Sequence, residues 1–436
     1  MGKGQRLYEK ASRLIPGGTQ LLSKRPEMFL PGGWPAYYSK AKGTDVWDLD
    51  GKKYTDMSYS GIGACVLGYA DPDVDRAVRR AVAQGTMSTL NCPEEVELAE
   101  LLLSLHPWAG MVRFARCGGE AMGVAVRIAR AATGKDRVAF CGYHGWHDWY
   151  LSANLTDEKA LDGHLLPGLD PAGVPRALAG TAFPFSYNRL DQLEEIVAAH
   201  GASLGAIVLE PVRSSAPAEG FLEKVKEIAG RIGAVLVFDE VTSGWRLNTG
   251  GVHLLYGVTP DVAVFAKGMS NGYPMAAVIG KPEVMSAAKR SFISSTYCTE
   301  RIGPTAALAM IRKHRKFRVG DRLRDLGRQI LDGWVSAAVK TNLSIHTDGI
   351  PPLAHFAFDH PKPQLLKTLF TKLMLKKGFL ATTAFYANFA QKQTHVRRYL
   401  EAVEESFSSI AEASAADRLE ERLGGPVAHT GFRRLT

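Results

Sequence analysis

The sequence predicts an α/β protein in which a mainly parallel sheet is covered by helices on both faces. Two observations predict this fold. Between about residues 111 and 280, short apolar runs alternate with segments of helical period, and the runs are apolar at consecutive positions, as in strands buried on both faces. The chain has 436 residues, 46% of them hydrophobic and 22% charged, which is enough for a large core. We therefore predict a large α/β domain with a smaller α+β domain attached.

The first part of the chain predicts turns and a hairpin. Pro and Gly punctuate the first 60 residues, and "KGTDVWDLDGKKYTDM" (42–57) contains the Asp50–Gly51 pair, a strong signal for a tight turn between strands. We expect residues 1–60 to join the smaller domain.

The middle of the chain supplies the large sheet, and we assign residues 61–310 to the large domain. The strand candidates are "MVRFA" (111–115), "DRVAFC" (136–141), "GAIVLEP" (205–211), "AVLVFDEV" (234–241) and "DVAVFAKG" (261–268). Helices are predicted at "EAMGVAVRIARAATG" (120–134), with Gly134 as its C-cap, and at "LEKVKEIAGRIG" (222–233). Helices placed between apolar strands predict parallel pairing.

After about residue 300 the pattern becomes mainly helical. The predicted helices are "RIGPTAALAMIRKHRKF" (301–317), "GDRLRDLGRQILDGWVSAAVK" (320–340) and the amphipathic "THVRRYLEAVEESFSSIAEAS" (394–414). We expect residues 311–436 to form the smaller α+β domain together with the N-terminal segment.

Composition disfavours several classes of protein. The net charge is +9, but Lys and Arg are spread along the chain, and the cluster at 311–324 alternates with apolar and acidic residues. This argues against a nucleic-acid-binding protein. No apolar run is long enough to cross a membrane, and the N-terminus lacks the apolar core of a signal peptide. The five cysteines are odd in number and scattered, which predicts reduced thiols and a cytoplasmic location.

A metal site is the lesser interpretation of "CGYHGWHD". Cys141, His144 and His147 have the spacing of metal ligands, but the sequence has no second cluster that would complete a four-ligand zinc site. We therefore predict no metal.

Four features lie at predicted strand ends, where open α/β sheets bind ligands. Gly118 and Gly119 precede a predicted helix. Tyr143 follows one apolar run, Asp239 ends a second, and Lys267 follows a third. Each alone has a structural explanation: a tight turn, core packing, a salt bridge or helix cap, and a lysine reaching solvent. Pyridoxal 5′-phosphate (PLP) explains all four, because it needs a Schiff-base lysine, an acid at the pyridine nitrogen, an aromatic face and a phosphate cradle.

Longer motifs identify a family. The chain resembles the class III, fold-type I aminotransferases, and within them it is most similar to the glutamate-1-semialdehyde 2,1-aminomutases. The resemblance runs from "RLIPGG" (13–18) to "FYANFA" (385–390). Its most specific parts are "YHGWHDW" (143–149), "VFDEVTSGWR" (237–246), "AKGMSNGYPMAAVIG" (266–280) and "SSTYCTERIGPTAALA" (294–309).

The resemblance implies roles for individual residues. Lys267 would form the Schiff base and Asp239 would pair with the pyridine nitrogen, both as catalytic residues. The implied cofactor-binding residues are Gly118, Gly119, Tyr143, His144, Glu210, Asp239, Val241, Lys267 and Thr296. Tyr143 and Val241 would cover opposite faces of the ring. Thr296 matches a threonine that reaches the cofactor phosphate of the other subunit, which implies a homodimer with shared active sites.

The chain departs from the family pattern at two sites. Cys117, Gly118 and Gly119 stand where the family usually has Ser-Gly-Thr, so two hydroxyl contacts to phosphate are lost. In place of the arginine that binds the substrate carboxylate of the aminomutases, Lys24 is in register and Arg25 is one residue off. Lysine lacks the planar fork of arginine, so an acceptor without a carboxylate stays open.

The predicted activity is transfer of an amino group from an amino-acid donor to an aldehyde or keto acceptor through pyridoxamine phosphate. The alternatives are the intramolecular amine shift of the aminomutases, a racemase or epimerase on the same fold, and a binding protein that has lost catalysis. A nicotinamide-dependent dehydrogenase is excluded, because the chain has no G-x-G-x-x-G fingerprint after an early strand.

Overall fold

The computed structural model describes residues 2–164, 167–212 and 215–430. Its α-helices, in chain order, are α1 (Lys3–Leu14), α2 (Pro72–Ala83), α3 (Pro93–Leu105), α4 (Gly118–Thr133), α5 (Asp148–Leu151), α6 (Leu190–His200), α7 (Phe221–Ile232), α8 (His253–Tyr256), α9 (Pro282–Met285), α10 (Ile302–Lys316), α11 (Val319–Thr341), α12 (Pro363–Lys376), α13 (Gln393–Ala415) and α14 (Leu419–Leu423). Among these, no helix is long and apolar enough to cross a membrane.

The strands form three sheets within the described part of the chain. They are β1 (Tyr38–Lys42), β2 (Asp45–Asp48), β3 (Lys53–Asp56), β4 (Met111–Ala115), β5 (Arg137–Cys141), β6 (Ala182–Pro184), β7 (Leu204–Leu209), β8 (Val235–Asp239), β9 (Val262–Phe265), β10 (Ala276–Gly280), β11 (Ile345–Asp348), β12 (Leu353–Phe358), β13 (Phe379–Leu380) and β14 (Ala384–Tyr386).

The central sheet has seven strands in the order β4-β10-β9-β8-β7-β5-β6. Pairings between β9, β8, β7, β5 and β6 are parallel, and β10 runs antiparallel to both of its neighbours. This confirms the predicted α/β fold with a mainly parallel sheet. The antiparallel β10 follows β9 after a short connection, which cannot make the long crossover that a parallel neighbour needs.

Both faces of this sheet are buried, as the apolar runs predict. Successive residues of β8 contribute alternately to two cores: Val235 and Val237 to one, Leu236 and Phe238 to the other. Helix α4 packs on the first face through residues such as Ala125, and α7 covers the second. Rigid strands therefore end at an edge whose loops carry the polar residues singled out above.

Helix α4 begins two residues earlier than predicted, at Gly118 rather than Glu120. Cys117 is its N-cap, and Cys117 and Glu120 form a capping box in which the Glu120 carboxylate accepts the Cys117 and Arg116 backbone N–H groups. This cap draws the two glycines into the first turn. The helix ends as predicted at Gly134, whose φ of 69° is left-handed.

The chain divides into two compact units. One comprises residues 72–320 and contains the central sheet. The other comprises residues 1–71 and 321–436. Within it, β1, β2, β3 and β13 form one sheet and β11, β12 and β14 another, and β2 and β3 form the predicted hairpin around Gly51.

Candidate active site

The two residues with the strongest predicted roles follow neighbouring strands. Asp239 is the last residue of β8, and it pairs in parallel register with Val264 of β9. Lys267 comes two residues after β9 ends at Phe265. Because parallel strands end at the same edge of a sheet, the structure brings the acid and the amine to one edge.

The Asp239 carboxylate is buried and held from two sides. Asp239 is 3% exposed, and its Oδ1 accepts the Val241 backbone N–H at 2.9 Å. Oδ2 lies 2.8 Å from His144 Nδ1, and His144 Nε2 lies 3.0 Å from the Cys141 carbonyl oxygen. Both ring nitrogens face acceptors, so both contacts are hydrogen bonds only when each nitrogen carries a proton. Each oxygen of the buried Asp239 carboxylate therefore has a polar partner.

Lys267 has an unusual backbone. Its φ is 45°, in the left-handed region that residues other than glycine rarely occupy. Lys267 is also the first residue of a short 3₁₀ turn, Lys267–Ser270. Such conformations cost about 1–3 kcal/mol each and cluster at functional sites. The side chain turns to donate from Nζ to Thr242 Oγ1 at 2.8 Å. Lys267 is therefore directed toward the turn that follows Asp239 rather than to solvent.

The first turn of α4 faces the same strand ends. A methyl group on Gly118 would lie 2.9 Å from Val241 Cγ1 and 3.7 Å from Ala266 Cβ. The backbone N–H groups of this turn have no acceptor within the helix, and the helix dipole adds positive potential there. Burial and the charge of Glu120 raise the pKa of the Cys117 thiol, so this residue stays neutral and does not oppose an anion.

Tyr143 and Glu210 lie together at the ends of β5 and β7. The Tyr143 backbone N–H donates to Glu210 Oε2 at 3.2 Å. Gly142 has a φ of 112°, and a side chain there would begin 2.7 Å from the same oxygen. Gly142 thus permits Glu210 to approach the loop that carries the Tyr143 ring, which contacts Tyr150 edge to face.

Thr296 lies in an exposed 3₁₀ turn, Thr296–Thr299. In this turn, Cys298 Sγ lies 4.0 Å from Glu120 Oε1. Arg116 Nη2 donates to the Glu300 carbonyl oxygen at 2.6 Å. The Thr296 segment is therefore held close to the first turn of α4.

Lys24 and Arg25 lie in the other unit, between two short 3₁₀ turns. Lys24 is exposed. The Arg25 guanidinium lies over Gly17, and its Nε is buried without a hydrogen-bond partner among the described residues. Of the two cations, Arg25 is the one with unused hydrogen-bonding capacity in a buried position.

The residues at the edge of the central sheet fit PLP. This cofactor requires a buried carboxylate, an amine and a phosphate cradle. The site offers the carboxylate at the end of β8, an amine bonded to the turn that follows it, and two glycines at the N-terminus of a long helix. Thr242 is a residue of this site that the sequence alone does not indicate. The signal in the sequence is a hydroxyl residue three positions after Asp239, the acid that ends β8. The direction in which this hydroxyl points depends on the geometry of the turn.

Gly118→Ala should weaken cofactor binding. The new methyl group would push Val241, a stiff β-branched side chain, from its place. Overpacking of this kind costs about 1–3 kcal/mol, or roughly five- to 150-fold in the dissociation constant for PLP if it falls wholly on the site. Titration of cofactor-free protein with PLP, followed by absorbance, measures this.

Gly123→Ala on the same helix is the matched control, because its nearest contact would be an ordinary 3.5 Å to His147 Nδ1. Equal affinities for both variants would show that Gly118 is not part of the cradle.

Comparison with known proteins yields one family and several relatives. The model of the family "Aminotransferase class-III" matches residues 32–349. The 3-aminobutyryl-CoA aminotransferase of Cloacimonas acidaminovorans (strain Evry) is 30% identical over 423 residues, which cover 94% of this chain and 98% of that protein.

Solved structures agree on the fold. The FumI protein of Sphingopyxis sp. MTA144, solved in its PLP internal aldimine form, superposes with a TM-score of 0.86 at 23% identity, covering 95% of this chain and 98% of the other. A glutamate-1-semialdehyde aminomutase of Pseudomonas aeruginosa PAO1 gives a TM-score of 0.79 at 20% identity, with 94% of each chain covered.

Proposed function

Because the chain belongs to the class-III aminotransferase family and is therefore a PLP-dependent aminotransferase, we propose that Lys267 and Asp239 form its catalytic pair. The observation that carries this proposal is their position on the ends of adjacent strands, with Asp239 buried against His144 and Lys267 bonded to the turn after Asp239. When bound, PLP supplies an electron sink for the bonds at the substrate carbon that bears nitrogen.

In this proposal each residue has a physical task. Asp239, held by His144 and the Val241 N–H, would supply the carboxylate that pairs with the pyridine nitrogen. Lys267 provides the amine that attaches the cofactor and later moves a proton at the substrate carbon. The N–H groups of Gly118 and Gly119 would hold the phosphate, and Tyr143 and Val241 would cover the two faces of the ring.

We further propose an acceptor whose carboxylate is absent or masked as a thioester. Two observations support it. The position of the substrate-carboxylate arginine of the aminomutases is taken by Lys24, which is exposed. The relative that is 30% identical over nearly the full length acts on a coenzyme A thioester, as its name states.

The experiment is a matched substrate comparison. Purified protein with PLP receives glutamate as the amino donor and either 3-oxobutyryl-CoA or free 3-oxobutyrate as the acceptor, and mass spectrometry follows the amino product and 2-oxoglutarate. We expect kcat/KM for the thioester to exceed that for the free acid by about tenfold or more. A free acid that reacts as well as the thioester would contradict this choice of substrate.

The aminomutase remains the second candidate, since a glutamate-1-semialdehyde aminomutase shares the fold over 94% of this chain. It differs in needing no separate donor. Conversion of glutamate-1-semialdehyde in the same assay, without any added amino acid, would decide for it.

We also propose a homodimer in which Thr296 contacts the cofactor of the partner subunit. Large apolar side chains are exposed beside Thr296 and in a neighbouring loop: Phe292 is 86% exposed, Tyr297 67% and Leu90 82%. The two loops are joined by the hydrogen bond from the Arg301 N–H to the Thr86 carbonyl. An apolar patch of this kind marks a surface that another protein covers.

A cytoplasmic location is supported by the five cysteines, all of which are free thiols.

A further inference from the structure

Thr242 is the residue that receives the Lys267 amine. The amine donates to Thr242 Oγ1 at 2.8 Å, and Thr242 is only 7% exposed. Where water is largely excluded, an ammonium group needs a protein partner, because an unpaired buried charge is costly. We propose that Thr242 is a positioning residue whose hydroxyl holds the Lys267 amine whenever that amine is not covalently attached to the cofactor.

The position of Thr242 follows from the turn that ends β8. Asp239 Oδ1 accepts the Val241 N–H, and the Thr242 carbonyl accepts from Arg246 Nε at 3.2 Å, with Arg246 itself buried. These contacts fix the backbone on both sides of the Thr242 side chain. The turn that sets the Asp239 carboxylate therefore also sets the hydroxyl that faces Lys267.

The Lys267 backbone is equally constrained. Its φ of 45° and the hydrogen bond from the Met269 N–H to the Ala266 carbonyl, at 3.1 Å, define where the side chain starts. With the backbone fixed at both ends, the hydroxyl limits the positions that the free amine adopts. A hydroxyl also suits both states of the amine, because it accepts from an ammonium and can donate to the lone pair of a neutral amine.

This inference rests on the proposed role of Lys267 and adds a consequence to it. An amine held beside the cofactor site attaches faster and transfers protons with less rearrangement, since fewer conformations have to be searched. Substrate binding does not use this hydrogen bond. Loss of the hydroxyl should therefore lower kcat and slow cofactor attachment, while KM changes little.

The test compares Thr242→Val, which keeps the shape and removes the hydroxyl, with Thr242→Ser, which keeps the hydroxyl. We measure the rate at which cofactor-free protein captures PLP, by stopped-flow absorbance, together with kcat, KM and the pH dependence of kcat. For Thr242→Val we expect capture and kcat to fall about three- to tenfold, the scale of one hydrogen bond. KM should stay within about twofold, and the pH profile of kcat should shift. Thr242→Ser should restore the capture rate, kcat and the pH profile.

Ser243→Ala is the matched control. The adjacent hydroxyl is also buried, but it donates to Glu240 Oε2 at 2.6 Å rather than to the Lys267 amine. We expect this variant to alter thermal stability but not PLP capture. Thr242→Ala provides a second hydroxyl-free variant in case valine disturbs folding.

The outcomes separate the inference from the proposed function. Folded Thr242→Val protein with wild-type capture rate and pH profile would overturn the role of Thr242, as would a Thr242→Ser variant as slow as Thr242→Val. Wild-type protein that captures PLP without any covalent bond to Lys267 would instead overturn the proposed catalytic pair.

Discussion

Lys267→Ala should lower the turnover number for amino-group transfer by about 10³-fold or more, because one residue supplies both the covalent attachment and the proton transfer. The variant keeps the apolar strand β9 and leaves Asp239 with its partners His144 and Val241, so it should fold and still bind PLP without a covalent bond. Borohydride reduction followed by peptide mass spectrometry measures attachment directly.

The control for this prediction is Lys289→Ala, which removes an exposed lysine from the same compact unit. It should retain both attachment and turnover. A reduced cofactor still bound to the Lys267→Ala protein would mean that another lysine is the attachment site.

Asp239→Asn should lower kcat by about 10²- to 10³-fold, the scale seen when one preorganised electrostatic partner is removed. The amide has nearly the same shape and still accepts hydrogen bonds, but it carries no charge to stabilise a protonated pyridine nitrogen. The His144 ring would then face two neutral acceptors, the new amide oxygen and the Cys141 carbonyl, in place of a carboxylate and a carbonyl. Single-turnover kinetics with an amino-acid donor measures the effect on chemistry apart from product release.

Asp261→Asn is the matched control. Asp261 directly precedes β9 and therefore lies at the other end of strands β8 and β9 from Asp239. There it accepts the Leu236 N–H at 2.8 Å and pairs with Lys281 at 2.7 Å. Its loss should reduce stability without affecting the single-turnover rate. If Asp239→Asn is no slower than Asp261→Asn, the assignment of the catalytic acid is wrong.

Much of the fold is predictable from the sequence, because apolar runs report burial directly. The run "AVLVFDEV" predicts β8, and its alternate residues indeed enter different cores. The start of α4 is less predictable, since glycines disfavour helices and only the capping box formed by Cys117 and Glu120 places them inside one.

The candidate site shows where sequence reasoning ends. That Asp239 and Lys267 follow strands is visible in the sequence, and parallel pairing then places them at one edge. The contact from Lys267 to Thr242 and the contact from His144 to Asp239 depend on turn geometry and side-chain rotamers. Residues up to 95 positions apart in sequence meet there, and no local pattern encodes such a meeting.

The left-handed backbone of Lys267 has a consequence for protein engineering. Glycine and asparagine adopt this conformation with less strain than lysine does. A selection for thermostable variants that scores only resistance to heat would therefore favour replacing the one amine on which the chemistry depends. Libraries built on this chain should hold that codon constant and look for added stability elsewhere.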